Sequence, residues 1–320
     1  MKNKWSWWVL LIATMAGTAT AQGYPDRPIR LIVGYAPGGT TGFTARVVGP
    51  KLSEALGQSV VIDNRPGAGS IIGTDLVAKA NPDGYTLLLA DTAFGIIPAI
   101  YARQPFDSLK DFAPVMQISG VGNALVIHPS VAARTVNELV ALAKTKPGQL
   151  TFGSGGVGTP LHMGGEQLKV AAGIDIVHVP YKGAAPAMTD LLGGQLTMIF
   201  PTLTVGVPHV KAGKLRALAV TSARRAVALP EVPTAAEAGY SSVNATSWFG
   251  LVAPGRAPQP VIDRLHAEMT RILKQPDVRE RFEAQHAEIV GSTPQAFGRF
   301  VAAEITQWKA VAKAGGIKAE

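Results

Sequence analysis

Short apolar runs recur along the chain at 29–35, 59–62, 86–89 and 124–127, and the stretches between the first three return an apolar residue every three or four positions. Runs of that length predict strands, and the wider spacing predicts helices packed on them. Further strand-like runs follow at 150–152, 176–179, 197–200, 215–220 and 248–252. Strands alternating with helices imply an α/β fold of largely parallel sheets under helices, in which ligands bind beyond the carboxyl ends of the strands. After Pro258 the pattern turns helical at 261–274, 278–285 and 294–314, the last closing on Gly315-Gly316 as a helix stop. No repeat of solenoid period and no low-complexity tract is present.

One construction is used twice. The run 29–35 enters the small-residue loop Ala36-Pro37-Gly38-Gly39-Thr40-Thr41-Gly42 and then a helical stretch from Phe43. The run 150–152 enters Gly153-Ser154-Gly155-Gly156-Val157-Gly158-Thr159-Pro160 and then a helical stretch from Leu161. Glycines at such junctions let backbone approach a ligand, and the first N–H groups of a helix lack partners within it. Each loop is therefore a candidate anion site, and the pair suggests a ligand held between two lobes.

Composition narrows the setting. Residues 1–21 carry Lys2 and Lys4, an apolar centre from Trp7 to Met15 and the ending Ala19-Thr20-Ala21, the layout of a cleavable signal peptide, so the mature chain is expected to start at Gln22 and to reside in a bacterial periplasm. No later stretch reaches the roughly 18 apolar residues that a membrane span needs. With no cysteine there is no disulfide, thiol nucleophile or thiolate metal site. About 300 mature residues accommodate two lobes, each with its own core. Losing the two leader lysines takes the formal charge from +8 to +6, spread without a dense basic run, which reads as solvated surface and not as a nucleic-acid face.

Enzyme signatures are incomplete. Gly153, Gly155 and Gly158 fit G-x-G-x-x-G, but the next strand runs into Pro180-Tyr181-Lys182-Gly183 where a dinucleotide site needs an acid, and Asp175 lies before that strand. Ser154 resembles a nucleophile elbow, yet Phe152 stands where its first glycine belongs. What remains is a reading in which Ser154, Thr159 and free N–H groups bind carboxylate oxygens. Six histidines, 128, 162, 178, 209, 266 and 286, show no metal-ligand spacing, and no metal or cofactor is expected. His162 reads as a packing residue near the loop. Asp63, Asp75, Asp83, Asp91 and Asp190 read as strand-end, helix and turn acids and not as an acid–base pair. The glycines of Arg65-Pro66-Gly67-Ala68-Gly69-Ser70 read as a turn into the next helix, and 180–186 as a pocket edge.

Eight segments in order carry a resemblance: Tyr24 to Arg30 (Y-P-D-R-P-I-R), Ala36 to Gly39, Asn64 to Gly69 (N-R-P-G-A-G), Pro82 to Leu87 (P-D-G-Y-T-L), Ser154 to His162 (S-G-G-V-G-T-P-L-H), His178 to Gly183 (H-V-P-Y-K-G), Lys211 to Thr221 (K-A-G-K-L-R-A-L-A-V-T) and Ser247 to Leu251 (S-W-F-G-L). Together they resemble the Bug-type extracytoplasmic solute receptors, the substrate-binding components of tripartite tricarboxylate transporters, over nearly the whole mature chain. The resemblance implies a two-lobe periplasmic binding protein fold of type II, each lobe a mixed, mostly parallel sheet flanked by helices. It divides the chain into signal peptide 1–21, lobe one 22–124 plus 248–320 and lobe two 125–247, with a hinge near 124 and 247. It further implies a monomer that closes around one small carboxylate and is recognised by a membrane permease, with no chemistry performed.

The residues matching the family's carboxylate grip are Tyr35, Pro37, Gly38, Gly39, Thr41 and Gly42 from the first loop, and Ser154, Gly155 and Thr159 from the second. Thr92, Phe94, Tyr181, Gly183, Ala184, Pro201 and Thr202 match the loops that shape the rest of the pocket. Gly42 and Pro201 stand where many relatives carry Asp. Without those acids a ligand ammonium has no evident partner, so the expectation is a non-amino mono- or dicarboxylate with an apolar or aromatic body against Phe94. Two rival functions stay open at this level: a secreted serine hydrolase using Ser154 with His162 as base, and an orphan receptor that signals to a sensor protein.

Overall fold

The structure, a computed structural model, describes residues 23–319, so the expected signal peptide at 1–21 lies outside the described residues. In chain order the elements are β1 (Ile29–Val33), α1 (Thr40–Leu56), β2 (Val60–Asn64), α2 (Ile71–Ala78), β3 (Thr86–Asp91), α3 (Ala93–Ile100), β4 (Phe112–Val121), β5 (Ala124–Ile127), α4 (Val136–Thr145), β6 (Thr151–Ser154) and α5 (Pro160–Ala172). They continue with β7 (Val177–Pro180), α6 (Ala184–Leu192), β8 (Met198–Ile199), α7 (Leu203–Lys211), β9 (Arg216–Val220), β10 (Ser247–Pro254), α8 (Gln259–Ile272), α9 (Pro276–Ala284), β11 (Glu288–Ile289) and α10 (Pro294–Gly315).

The strands form two sheets, one ordered β11-β4-β10-β3-β1-β2 and the other β7-β6-β8-β5-β9. The chain crosses between them after β4 and returns before β10. Ala124 opens a strand of the second sheet and Ser247 a strand of the first. Both sheets are mixed. The β-α-β units pair in parallel, whereas β10 and β5, which each follow a crossing and not a helical crossover, pair antiparallel with both neighbours.

Strand β4 lies outside the apolar runs, because Pro114, Gln117, Ser119 and Gly120 interrupt its pattern. Burial on both faces, and pairing to β10 with register shifts beside Pro114, hold it as a strand all the same. The two crossings are knotted at Asn123, which is fully buried. Its amide donates to the carbonyl of Phe200 (2.8 Å) and its side-chain oxygen accepts from Ser247 Oγ (2.9 Å), while its carbonyl accepts from the Thr221 N–H (2.8 Å).

The last helix returns to the first sheet. Phe297 and Phe300 of α10 meet the Trp248 ring edge-on, each at 5.5 Å. One carboxylate oxygen of Glu304 accepts both the Trp248 indole N–H (2.9 Å) and that of Trp308 (3.2 Å). Trp308, Ile96 and Ile100 then pack with Met163 of α5, carrying apolar contact from one lobe to the other. Both indoles are 3 % exposed, so losing their shared acceptor leaves two buried donors unpaired. Glu304→Ala is expected to lower stability by about 2–4 kcal/mol in urea denaturation, with Glu304→Gln recovering part of the loss.

Candidate functional site

A cleft opens between the two sheets, lined by Tyr35, Gly39, Thr40 and Thr41, by Asp91, by Gly155, Thr159, Pro160 and Leu161, and by Ala184, Thr202, Ser247 and Phe249. Four helices start at it: α1 after Gly39, α5 after Thr159, α6 after Gly183 and α7 after Thr202. A helix start presents N–H groups without intrahelical partners and the positive end of the helix dipole. Among the described residues no Lys, Arg or His lines the cleft, so what it offers an anion is these helix ends and the hydroxyls of Tyr35, Thr40, Thr41, Thr159, Thr202 and Ser247. Room for water-sized groups extends over about 50 Å³, against roughly 10–15 Å³ for one water, which suits a ligand of few atoms.

The two sides touch around this space. The Ala36 N–H donates to the Lys182 carbonyl (3.0 Å), and the hydroxyls of Thr40 and Thr202 share a hydrogen bond of 2.6 Å. Gly69, at φ +61°, lies so close to Val157 and Gly156 that a Cβ there would overlap the Val157 carbonyl oxygen. The Gly67-Ala68-Gly69-Ser70 segment therefore does more than turn the chain into α2: its backbone meets the second glycine loop across the cleft.

Of the residues expected at the site, Tyr35, Gly39, Thr41, Gly155, Thr159, Ala184 and Thr202 line the cleft together. The other nine lie outside its lining. Pro37 and Gly38 are exposed, with Gly38 against Ala185. Gly42 faces Arg46 along its own helix, and Gly183 abuts Tyr35 and Ala36. Thr92 Oγ1 accepts from the Trp248 N–H (2.8 Å). The Phe94 ring is buried edge-on against Phe112 at 4.9 Å, so Phe249 and not Phe94 supplies the aromatic wall. Tyr181 donates to Asp190 (2.6 Å), and burial together with that carboxylate pushes its phenol up to about 12. Pro201 packs on Gly206, and its carbonyl accepts from the Ala124 N–H.

Ser154 is the ninth. Its fully buried hydroxyl lies 2.6 Å from His178 Nε2 and accepts the Gly156 N–H at 3.0 Å, pinning the glycine loop from beneath. The histidine beside Ser154 is thus His178 and not His162. His162 stacks over His178 with ring centres 4.3 Å apart, and its Nδ1 accepts the Gly158 N–H. Burial keeps both rings neutral, pulling His162 down to about 3 and His178 to about 4. Serine and imidazole form the underside of the loop and do not line the cleft.

Asp91 was read as a strand-end acid, and it is one. The structure also places it in the cleft, as the one carboxylate among the described lining residues. Its Oδ1 accepts from the Tyr35 hydroxyl (3.1 Å) and the Ala93 N–H (3.0 Å), and its Oδ2 from Thr41 Oγ1 (3.2 Å). Burial, only partly offset by these bonds, pushes its carboxyl up to about 6. Neither Gly42 nor Pro201, the two positions of the missing family acids, lines the cleft.

The model of the tripartite tricarboxylate transporter family receptor matches residues 44–317. The chain belongs to that family. It is 37 % identical over 317 residues to the protein BugT of Bordetella pertussis, covering 97 % of this chain and 96 % of that one. It superposes on the solved periplasmic binding protein BugD with a TM-score of 0.89 at 33 % identity, over 93 % of this chain and 100 % of the other. The Rpa4515 protein of R. palustris, solved with adipate, gives 0.88 at 35 % identity over 92 % and 99 %. The fold is the two-lobe fold of periplasmic solute-binding receptors, and the family is one of receptors and not of enzymes.

Two outcomes follow from this geometry. Gly69→Ala keeps each lobe intact but forbids the approach to Val157, so ligand affinity measured by calorimetry should fall at least tenfold while circular dichroism stays native. For Asp91, the folded chain holds its proton up to about pH 6 whereas an exposed aspartate releases it near 3.8, so the stability that depends on the proton is full below pH 3.8 and is lost as pH rises through 6. Relative to wild type, Asp91→Asn should therefore gain up to about 3 kcal/mol in guanidinium denaturation between pH 4 and pH 8.

Proposed function

We propose that this protein is a periplasmic receptor that captures a small carboxylate between its lobes, performs no chemistry on it, and presents the closed form to the permease of a tripartite tricarboxylate transporter. The observation that carries this reading is the convergence of four helix starts, from both lobes, on one cleft that has no basic side chain among the described residues. Such a site holds an anion through backbone N–H groups and hydroxyls, and it is complete only when both lobes contribute. The adipate bound to the R. palustris relative supports a carboxylate as the ligand.

In this account the leader 1–21 is removed on export and the mature chain acts as a monomer. The lobes pivot at 122–123 and 245–247, where Asn123 ties the two crossings. The ligand adds bonds available only when the lobes meet, and so shifts the population toward the closed form that the permease reads.

A thermal-shift screen of the chain from Gln22, stripped of any co-purified ligand by unfolding and refolding, tests the reading. A ligand that binds only the folded state raises the melting temperature by mass action. Small mono- and dicarboxylates are expected to raise it, and the best of them to shrink the radius of gyration in small-angle scattering. A melting temperature unmoved by any aliphatic or aromatic acid would overturn the assignment.

A further inference from the structure

The hydroxyls and helix ends of the cleft serve an anion, and Asp91 does not. It closes β3, is 7 % exposed, and receives three protein donors: the Tyr35 hydroxyl from the end of β1, Thr41 Oγ1 from α1, and the Ala93 N–H from α3. Two of them occupy Oδ1 and one occupies Oδ2, which leaves acceptor capacity on Oδ2. Phe249 lies opposite it in the β3–β10 pairing, and Ser247 of β10 and Thr159 and Thr202 of the other lobe complete the walls. Tyr35 is the one other titratable group on these walls, and its phenol is held well above its ordinary value by burial and by Asp91 itself. No Lys, Arg or His lies within ion-pair distance of Asp91 among the described residues.

The Ala93 N–H donates to Asp91 in a fixed direction, the Tyr35 and Thr41 hydroxyls can do the same, and above about pH 6 the carboxyl is ionised. The closed cleft therefore holds one negative charge with no compensating cation. A purely anionic ligand would place a second negative charge beside it in a water-poor space, at high electrostatic cost. A neutral hydroxyl would fill the free acceptor position and leave the charge. A cationic N–H donor fills the position and cancels the charge.

We propose that Asp91 receives the ammonium of the ligand, so that the preferred ligand is a zwitterion, a small amino acid whose carboxylate meets the helix starts and whose amino group meets Asp91. This rests on the receptor reading above and names the substrate class of the same site. It reverses the expectation of a non-amino acid drawn from Gly42 and Pro201, because the acid that matters stands at a different position.

The test is calorimetric titration with acids paired by carbon skeleton: alanine with propionate, aspartate with succinate, glutamate with glutarate, and phenylalanine with 3-phenylpropionate. Titrations are run at pH 7.5 in two buffers of different ionisation enthalpy, on wild type, Asp91→Asn and Tyr35→Phe. In at least one pair the amino member should bind wild type tenfold or more tightly than its partner, without net proton uptake. Asp91→Asn should erase that preference while still binding the plain acid, and Tyr35→Phe, which leaves the carboxylate in place, should retain it in weakened form. Plain acids binding wild type as tightly as their amino partners would overturn the proposal, as would binding with uptake of a proton that Asp91→Asn does not take up, since Asp91 would then act as a neutral acid. Binding of no acid of either kind would overturn the receptor reading itself, and this proposal with it.

Discussion

The unpaired N–H groups at helix starts are the constraint on which the rest of this molecule depends. A helix start buried without partners is costly, and those of α1, α5, α6 and α7 meet at one cleft, whereas the first N–H of α3 is already taken by Asp91. The small residues of the loops follow from that. Gly39, Gly155 and Gly183 let main chain come within bonding reach of a ligand or of the opposite loop, where a bulkier residue would hold it off. In such a site the helix dipole contributes about 0.3–1 kcal/mol for each end, and a hydrogen bond to a charged group about 1.5–3 kcal/mol. Bond number and geometry therefore decide affinity more than dipole strength, and a basic side chain is not needed to bind an anion.

The proposed closure about a hinge follows the same economy. Two backbone approaches, Ala36 to Lys182 and Gly69 to Val157, and one hydroxyl pair, Thr40 with Thr202, join the lobes around the cleft. These polar contacts stand beside the apolar packing of Trp308, Ile96 and Ile100 on Met163, and a ligand carboxylate bonded to both sides would add to them. The hinge is of another kind. Asn123 is fully buried, with its amide nitrogen, amide oxygen and carbonyl all bonded, so the pivot is tied down while the rims remain separable. Ser154 and His178 hold the second loop from below in the same manner, which explains a close serine–histidine contact in a family of receptors.

Much of this was legible in the sequence because it is local. A strand entering a glycine-rich loop and then a helix is written in adjacent residues, and both glycine loops of the cleft are legible in that way. What was missed depends on pairing between distant segments. Strand β4 is interrupted in sequence by Pro114, Gln117, Ser119 and Gly120 and is held as a strand by pairing with β10 and β11. Asp91 looks like any acid at a strand end. It joins the cleft because β10 sets Phe249 beside it, and because Tyr35 and Thr41, 56 and 50 residues away, fold over it. Phe94, two residues past Thr92, matches a pocket loop in sequence, yet the α3 turn directs its ring into the core against Phe112. The charge of the cleft, and with it ligand selectivity, is the part that sequence adjacency does not record.

The most direct test of the central claim is a crystal structure of the mature protein with its tightest-binding acid. The ligand carboxylate should lie within hydrogen-bond distance of backbone N–H groups from both lobes, at the starts of α1 and α5, with no basic side chain against it. A carboxylate held by one lobe alone, or by a lysine or arginine, would contradict the account.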